Sequence, residues 1–466
     1  MLFSSMTFVY IFLPIVLALY LLARKDLQNY ILLIASIIFY AWGEPRYLAI
    51  MLLTILINYI GANYISRNTK HRKLLLIITI LANLSFLFYF KYFNFVAENI
   101  NSLFSVNINL VKVIMPIGIS FYTFQALSYV IDVYRKEVKP QKDIYKLALY
   151  ICLFPQLIAG PIIKYHDINE QIDKRTVTFD KVSYGIKRFI IGLSKKMLIA
   201  NILGEIVDKI FTQPVEQFDT LTAWIGAFAY SLQLFYDFSG YSDMAIGLGS
   251  IFGFKILENF NYPYISKSIT EFWRRWHISL STWFKEYLYI PLGGNRVSKT
   301  RNYVNLFIVF LATGIWHGAA WNFIFWGLWH GMFIIFEKAT GWHKKEGGWQ
   351  LKFLQHIYCI LAFVIGWVMF RAENMSYAWQ YIKNMFGLVK GDKIIYELPY
   401  YIDNIGILAF IAAILCAMPI FNKMLFIKYE HKILRSIVNI WLITLFILST
   451  ACIAASTYNP FIYFRF

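Results

Sequence analysis

Residues 311–332 read LATGIWHGAAWNFIFWGLWHGM, a run apolar enough for a bilayer that still carries two histidines, His317 and His330, each inside a Trp-His-Gly triplet. On insertion scales a Lys, Arg or Asp at the centre of a membrane helix costs on the order of 2.5–3.5 kcal/mol. A histidine lowers that cost by staying neutral, which is also the form a general base needs. Two readings stand for such a residue: a functional group facing a cavity, and a hydrogen-bonder between two helices. On a helix with ~1.5 Å rise and ~3.6 residues per turn, His330 falls at a different height from His317 and on roughly the opposite face. One site does not easily hold both, so His330 is expected to be an interhelical hydrogen-bonder. A third histidine, His277, lies in EFWRRWHISLSTWFKEYLYIPL (271–292), among large aromatics and beside Arg274 and Arg275. Asp237 and Asp243 sit in YDFSGYSDM, inside an otherwise apolar span. Buried carboxylates are normally paired, and the arginines of 272–296 are the expected partners. A structural ion pair and a role in positioning an acceptor or base are both open for these two. The remaining histidines, His71, His166, His343, His356 and His431, have no constellation around them. Cys152, Cys359, Cys416 and Cys452 lie in apolar runs without ligand or redox spacing, so they read as buried thiols and no metal is expected.

The elements that must hold these groups are membrane helices. Of 466 residues, 59% are hydrophobic and 15% charged, against roughly 25% charged in a soluble domain. Apolar spans fall near 6–23, 28–43, 47–65, 74–94, 111–131, 183–206, 222–248, 303–317, 319–337, 353–370, 403–420 and 436–456. The fold class is therefore an all-α polytopic membrane protein with 11–12 transmembrane helices, read as a single domain over 1–466. Several spans fall short of the ~20 residues of a full crossing, which predicts tilted or broken helices. The first span follows no basic n-region and precedes no small-residue cleavage site, so it is expected to be a retained helix. Basic residues concentrate in short loops, such as Arg67, Lys70, Arg72 and Lys73, the positive-inside pattern of cytoplasmic loops. This accounts for the net charge of +18 and leaves no separate basic face for nucleic acid. With those loops in the cytosol, both termini are expected outside. Two regions do not fit simple spans. Residues 147–163 (LALYICLFPQLIAGPII) carry Pro155, Gly160 and Pro161 in an apolar run. Broken backbone survives at membrane depth only inside protein or beside a cavity, so a re-entrant element is expected there, with a kinked helix as the alternative. Residues 271–292, rich in Trp, Tyr and basic side chains, suit an interfacial helix on the cytoplasmic side.

Five segments together resemble the membrane-bound O-acyltransferase family, in particular its bacterial polysaccharide O-acetyltransferase branch. They are PIGISFYTFQALSYVIDVYR (116–135), FPQLIAGPI (154–162), YSLQLFYDFSGYSDMAIGLG (230–249), FWRRWHISLSTWFKEYLYIPLGGNR (272–296) and the WHG block at 316–318. The resemblance implies that His317 is the catalytic general base toward an incoming hydroxyl. It implies that His277 occupies a second signature position, filled by Asn or His across the family, and orients or polarises a donor thioester. Trp316, Asp237, Asp243, Arg274 and Arg275 are then supporting or tunnel-lining residues. The implied fold has a central tunnel from a cytoplasmic donor entrance, which His166 would line if it is not a solvated loop residue. The tunnel would end in an outer funnel, moving an acyl group across the membrane without its carrier. Taken literally, the topology separates His277 from His317 by a membrane thickness, a conflict that a molecule thinned at its centre removes. No permanent cofactor is implied; acetyl-CoA or another acyl thioester is the donor substrate. The implied setting is the bacterial cytoplasmic membrane. The implied partners are membrane lipid, an envelope polysaccharide as final acceptor and an outer acetyltransferase of the SGNH-hydrolase type.

The stretch 459–466, NPFIYFRF, sets Tyr463 among Phe461, Phe464 and Phe466. The related D-alanylation system is similar in using a small peptide with such an aromatic motif, whose tyrosine accepts the acyl group. Tyr463 is accordingly expected to be an acyl acceptor that hands the group to a second protein. A phenol, with its ordinary pKa of ~10, gives a more activated ester than an alkyl alcohol does. The other reading of Tyr463 is an aromatic-belt anchor. The alternatives for the whole chain are a D-alanyl-type transferase of the same family and a transporter or flippase of acylated species. The latter predicts inverted internal symmetry, and none is visible in the sequence.

Overall fold

The computed structural model describes residues 1–68, 70–112, 114–389, 395–420, 432–455 and 458. The described residues form helices and connecting segments, without a strand. Four helices are long and apolar enough to cross a bilayer: Pro45–Arg67, Arg72–Phe104, Trp349–Arg371 and Ile433–Ala455. Three shorter apolar helices, Phe8–Leu22, Gln28–Gly43 and Asn404–Cys416, match the expectation of abbreviated spans. The chain packs as two compact units, Met1–Phe189 with Ser242–Leu257, and Ile190–Tyr241 with Glu258–Phe466.

In the first unit, Leu48–Arg67 and Arg72–Leu87 are joined by a reciprocal amide pair. Asn58 Nδ2 donates to Asn83 Oδ1 at 2.7 Å, and Asn83 Nδ2 returns a bond to Asn58 Oδ1 at 3.1 Å. Without a hydrophobic drive between helices in lipid, such side-chain bonds and close packing supply the adhesion. The 147–163 segment is broken and buried. A helix over Ile144–Cys152 stops at Leu153, one turn forms over Phe154–Leu157, and irregular backbone leads to Tyr165–Asp173. Pro155 allows that turn only at its start, where a missing N–H costs nothing. Every residue from 149 to 163 is buried, as broken backbone in lipid requires.

The second unit is organised around a helical hairpin, Lys299–His317 and Trp321–Thr340. Ser298 caps its start by accepting from the Arg301 N–H. The two helices touch through glycines: a Cβ on Gly314 would lie 2.5 Å from the Phe323 carbonyl oxygen, and one on Gly327 would lie 2.4 Å from that of Phe310. No larger residue permits this backbone approach, which fixes the register of the hairpin. Trp349–Arg371 packs alongside, with Trp329 Nε1 donating to the Ala362 carbonyl at 2.8 Å.

Residues 271–292 do not form one interfacial helix. Ile269–Arg275 ends at Trp276, His277 turns the chain, and Ile278–Phe284 continues in another direction. The reason is local: His277 has φ 43° and ψ 55°, the left-handed conformation that no helix can propagate.

Candidate active site

His277 occupies that corner and is fully buried. Two backbone bonds brace the corner: Asn261 N–H to the Arg275 carbonyl and Ile278 N–H to the Asn259 carbonyl, both 2.9 Å. The side chain of Asn259 completes it. Its Oδ1 accepts from Ser279 N–H at 3.1 Å and from Ser279 Oγ at 2.9 Å, and it lies 3.1 Å from His277 Nδ1. Because a backbone N–H can only donate, the atom facing Ser279 is the amide oxygen, and His277 Nδ1 must carry the proton that reaches it. Burial pushes the imidazole down to about 3, so the ring is neutral. A neutral imidazole protonated at Nδ1 has a bare lone pair at Nε2, and that nitrogen has no hydrogen-bond partner among the described residues. His277 is therefore set up to accept a hydrogen bond. Polarising a thioester carbonyl would need a donor at that nitrogen, so the geometry disfavours the role expected from sequence.

His317 closes the helix Lys299–His317 and is 6% exposed. The chain leaves it through Gly318, whose absent Cβ would lie 2.2 Å from the Phe323 ring. The glycine of the Trp-His-Gly triplet is thus the space that the Phe323 ring occupies. Trp316 packs edge-on against His317 at 4.9 Å between centroids and reaches His277 at 6.3 Å. One indole separates the two imidazoles, so the membrane-thick separation of the literal topology does not occur. Trp326 at 4.8 Å and Phe370 at 5.2 Å complete the wall around His317, and Phe238 stands edge-on to His277 at 4.6 Å.

His330 is a correction. Among the described residues it makes no interhelical hydrogen bond: both ring nitrogens lack a partner there, and Trp326, Trp273 and Phe272 pack around the ring. The chain reverses at 318–320, so His330 lies on the second helix of the hairpin and shares Trp326 with His317.

The two aspartates are ion-paired, but not with the arginines of 272–296. Asp237 pairs with Lys196, both side chains 3% exposed, and Asp243 pairs with Arg188 at 2.6 Å. Arg188 and Lys196 come from the run Phe179–Ser194 and the π-helical turn Lys195–Ala200, where basic residues interrupt an apolar pattern. Arg275 instead bonds Glu271 at 2.9 Å, and Arg274 lines a cavity with Lys299 and Lys338. His166 also departs from expectation, since it has acidic company. Its Nδ1 lies 2.9 Å from buried Asp132, a contact that raises its pKa above the ordinary value, and Glu137 brings a third ligand-type atom within 4.8 Å.

Residues that sequence reasoning missed are Asn259, Ser279 and Glu337. Glu337, fully buried, accepts from the N–H groups of Ile269 and Thr270 at 2.6 and 2.9 Å, capping the helix that leads to His277. A carboxylate inside the apolar run 321–340 was the available signal. Tyr463 lies outside the described residues. The nearest described residue, Tyr458, donates from its hydroxyl to Asp208 Oδ2 at 2.7 Å, while Asp208 Oδ1 pairs with Arg371 at 2.6 Å.

Comparison with known proteins places the chain in a family. The sequence profile of the membrane-bound O-acyltransferase family matches residues 78–380. A probable alginate O-acetylase of Pseudomonas aeruginosa is 45% identical over 395 residues, covering 83% of this chain and 75% of the relative. One from Pseudomonas putida is 40% identical with full coverage of both chains. A peptidoglycan O-acetyltransferase of Helicobacter pylori is 36% identical over 423 residues, covering 83% of this chain and 80% of the relative. The chain belongs to the membrane-bound O-acyltransferase family. It is thus a multi-pass membrane enzyme that transfers acyl groups to oxygen, and the hydroxyl it acylates must meet a base. Among the described residues of the second unit, one wall holds His277, Trp316 and His317 together.

Proposed function

We propose that this O-acyltransferase takes an acetyl group from acetyl-CoA in the cytosol and delivers it across the membrane for O-acetylation of an envelope polysaccharide. The observation that carries the reading is the pair of buried imidazoles on either side of Trp316, in a chain whose relatives are named for alginate and peptidoglycan O-acetylation. His317 acts as general base. It takes the proton of the acceptor hydroxyl as oxygen attacks the thioester carbonyl. The C–O bond forms, the C–S bond breaks, and the proton passes on to the departing thiolate. His277 Nε2, held as a lone pair by Asn259, accepts a hydrogen bond from the acceptor or from the thiol being released. A proton-transfer group of this kind typically contributes 10²–10⁴-fold.

The acceptor in this reading is Tyr463, which passes the acetyl group to an outer acetyltransferase of the SGNH-hydrolase type. Support comes from Tyr458, whose partner Asp208 pairs with Arg371, the residue that follows Phe370 of the His317 wall. Five residues of extended chain span at most about 18 Å, so Tyr463 is tethered within that reach of Tyr458. Orientation with both termini outside follows from the basic loops.

The test is peptide mass spectrometry of the purified full chain after incubation with acetyl-CoA, comparing wild type, His317→Ala and Tyr463→Phe. An acetyl group on Tyr463 that is absent in His317→Ala is the expected result. Acetyl-CoA consumption that depends on His317 without a tyrosine ester would overturn the relay and leave direct transfer. Consumption unchanged in His317→Ala would remove the general base from the scheme.

A further inference from the structure

The chain beside the His317 turn is folded into a platform. Asn322, at the start of the hairpin's second helix, donates through Nδ2 to the Ala372 carbonyl at 2.9 Å. That bond holds the segment after Trp349–Arg371 next to the turn. A helix over Met375–Met385 begins there, capped by Asn374, which accepts from the Tyr377 N–H at 2.9 Å. Its inner face is locked onto the connection 212–219. Tyr377 donates from its hydroxyl to the Gln213 carbonyl at 2.9 Å, and Asn384 Nδ2 donates to the Val215 and Phe218 carbonyls at 3.1 and 2.9 Å. Tyr381, fully buried, stacks on Phe211 at 4.4 Å. The Ile395 N–H reaches the Gln217 carbonyl at 3.2 Å, and the Tyr401 hydroxyl donates to Gln213 Oε1 at 2.7 Å. Residues 395–403 thereby join the same platform.

The face left uncovered is aromatic and acidic. Trp379 is 55% exposed, and Tyr396 and Tyr400, 41% and 51% exposed, stack with their centroids 4.0 Å apart. Among the described residues of 212–219, 372–389 and 395–403 there are five carboxylates, Glu216, Asp219, Glu373, Glu397 and Asp403, against one cation, Lys383. Asp219 and Asp403 cap helices, accepting from the Thr222 and Gly406 N–H groups at 2.8 and 2.7 Å. Lys383 lies over the Trp379 ring at 5.7 Å. Glu216, Glu373 and Glu397 are exposed and form no ion pair among the described residues. Two of them converge, since Glu216 and Glu373 both act on the Tyr377 hydroxyl. In a chain of net charge +18, the sign of this surface is reversed. The positive-inside rule depletes outer loops of Lys and Arg, but it gives no reason for carboxylates to gather there.

Three kinds of occupant would cover such aromatics. A lipid surface holds a helix through Trp or Phe together with Lys and Arg, which meet anionic headgroups. Carboxylates in their place repel those headgroups. An anionic polysaccharide is repelled in the same way. A protein with a basic face is attracted, and the charge steers its approach. Tyr and Trp are also the residue types enriched where proteins meet. Charge thus selects the third occupant.

We propose that this platform docks an extracytoplasmic protein that presents a basic face, beside the turn at which the acetyl group leaves His317. The inference rests on the acyl-transfer reading and the orientation above, and it gives that reading a surface for the receiving protein. Glu216, Glu373 and Glu397 pair with Lys or Arg of the partner, while Trp379 and the Tyr396–Tyr400 pair pack against it.

The test separates docking from catalysis. Glu216, Glu373 and Glu397 are replaced together by Gln and, in a second protein, together by Lys; Trp379→Ala and Trp379→Phe are made singly. Purified in phosphatidylcholine nanodiscs, every full-chain variant is expected to consume acetyl-CoA within about twofold of wild type. In cells, acetylation of the envelope polysaccharide is expected to fall at least tenfold in the Lys triple variant and less in the Gln one. Trp379→Phe should keep what Trp379→Ala loses. A fluorescent oligolysine is the binding probe on the nanodiscs. It should bind wild type, bind the Gln triple variant at least tenfold more weakly, and lose affinity as salt is raised. Normal polysaccharide acetylation in the Lys triple variant would overturn the docking surface. Loss of acetyl-CoA consumption in that variant would overturn it too, by showing that the carboxylates serve the fold or the chemistry. Tighter binding of an alginate oligosaccharide than of oligolysine would reassign the platform to the polymer. A stabilisation by phosphatidylglycerol that Trp379→Ala abolishes, with acetylation unchanged, would reassign it to lipid. If wild type consumes no acetyl-CoA while oligolysine still binds through the carboxylates, the acyl-transfer reading fails and the surface for a basic partner stands.

Discussion

Ser279 presents both its N–H and its hydroxyl to Asn259 Oδ1, and this fixes the protonation of His277 through an uncharged amide. The usual device for orienting a catalytic imidazole is a carboxylate, which also stabilises the imidazolium that forms. An amide orients the ring yet adds no such stabilisation, so the ring stays a weak, neutral acceptor. Replacing Asn259 by Ala frees the tautomer. The expected result is a fall in kcat of on the order of 10–100-fold, smaller than the 10²–10⁴ typical of removing a proton-transfer group outright, with KM nearly unchanged. Asn259→Asp keeps an acceptor and should recover much of the rate; steady-state kinetics on the three proteins decides it. His277, Trp316 and His317 could be found in the sequence because each is a costly residue type in an apolar or aromatic run. Asn259 could not: LENFNYPY has no period to break, and the partners of Asn259 lie 18 and 20 residues further on.

Between residues and fold, the hairpin Lys299–His317 and Trp321–Thr340 does the positioning. Its helices were visible as spans 303–317 and 319–337, but the consequence for His330 was not. Treating the thirteen-residue step between the histidines as one helix put the rings on opposite faces; the reversal at 318–320 puts both against Trp326. Apolar periodicity reports where a helix runs and is silent on a three-residue turn. The partners of Asp237 and Asp243 escaped for a related reason, since pairing depends on which helices are neighbours. Gly327→Ala tests the hairpin directly. The added methyl would sit 2.4 Å from the Phe310 carbonyl, which cannot yield as a side chain can. Overpacking of this kind costs about 1–3 kcal/mol. The variant is expected to unfold at lower temperature in detergent and to lose acyl transfer, whereas Gly341→Ala, where nothing lies within 4 Å, should leave the hairpin packing intact and retain transfer despite its positive φ.

For the molecule as a whole, composition alone established a helical membrane protein, and the described residues agree. The number of crossings is harder to read, because burial inside protein and burial in lipid both select apolar residues. Ile119–Arg135 is almost wholly buried by other helices, while Ile433–Ala455 has 11% of its apolar window buried inside the protein and faces outward along most of its length. Both looked alike as spans. The packing into two units was likewise invisible, since the division falls inside the continuous helix Thr220–Ile251 with no linker to announce it. Orientation is testable at this scale with a membrane-impermeant thiol reagent. In a chain whose four cysteines are replaced by Ala or Ser, Glu373→Cys should be labelled in intact cells. Lys345→Cys should be labelled only after the membrane is opened. The reverse pattern would invert the donor and acceptor sides.

The left-handed corner at residue 277 has a consequence for heredity as much as for chemistry. A side chain can stand there only if its backbone tolerates φ near +43°, and outside glycine that tolerance is concentrated in Asn, Asp and His. Glycine brings no side chain, and Asp would bring an unpaired charge into a fully buried place. Histidine and asparagine are what remain, the same two residue types that the family resemblance allows at this position. Backbone sterics thus act as a filter on mutation, restricting the alphabet at residue 277 before catalysis is ever selected.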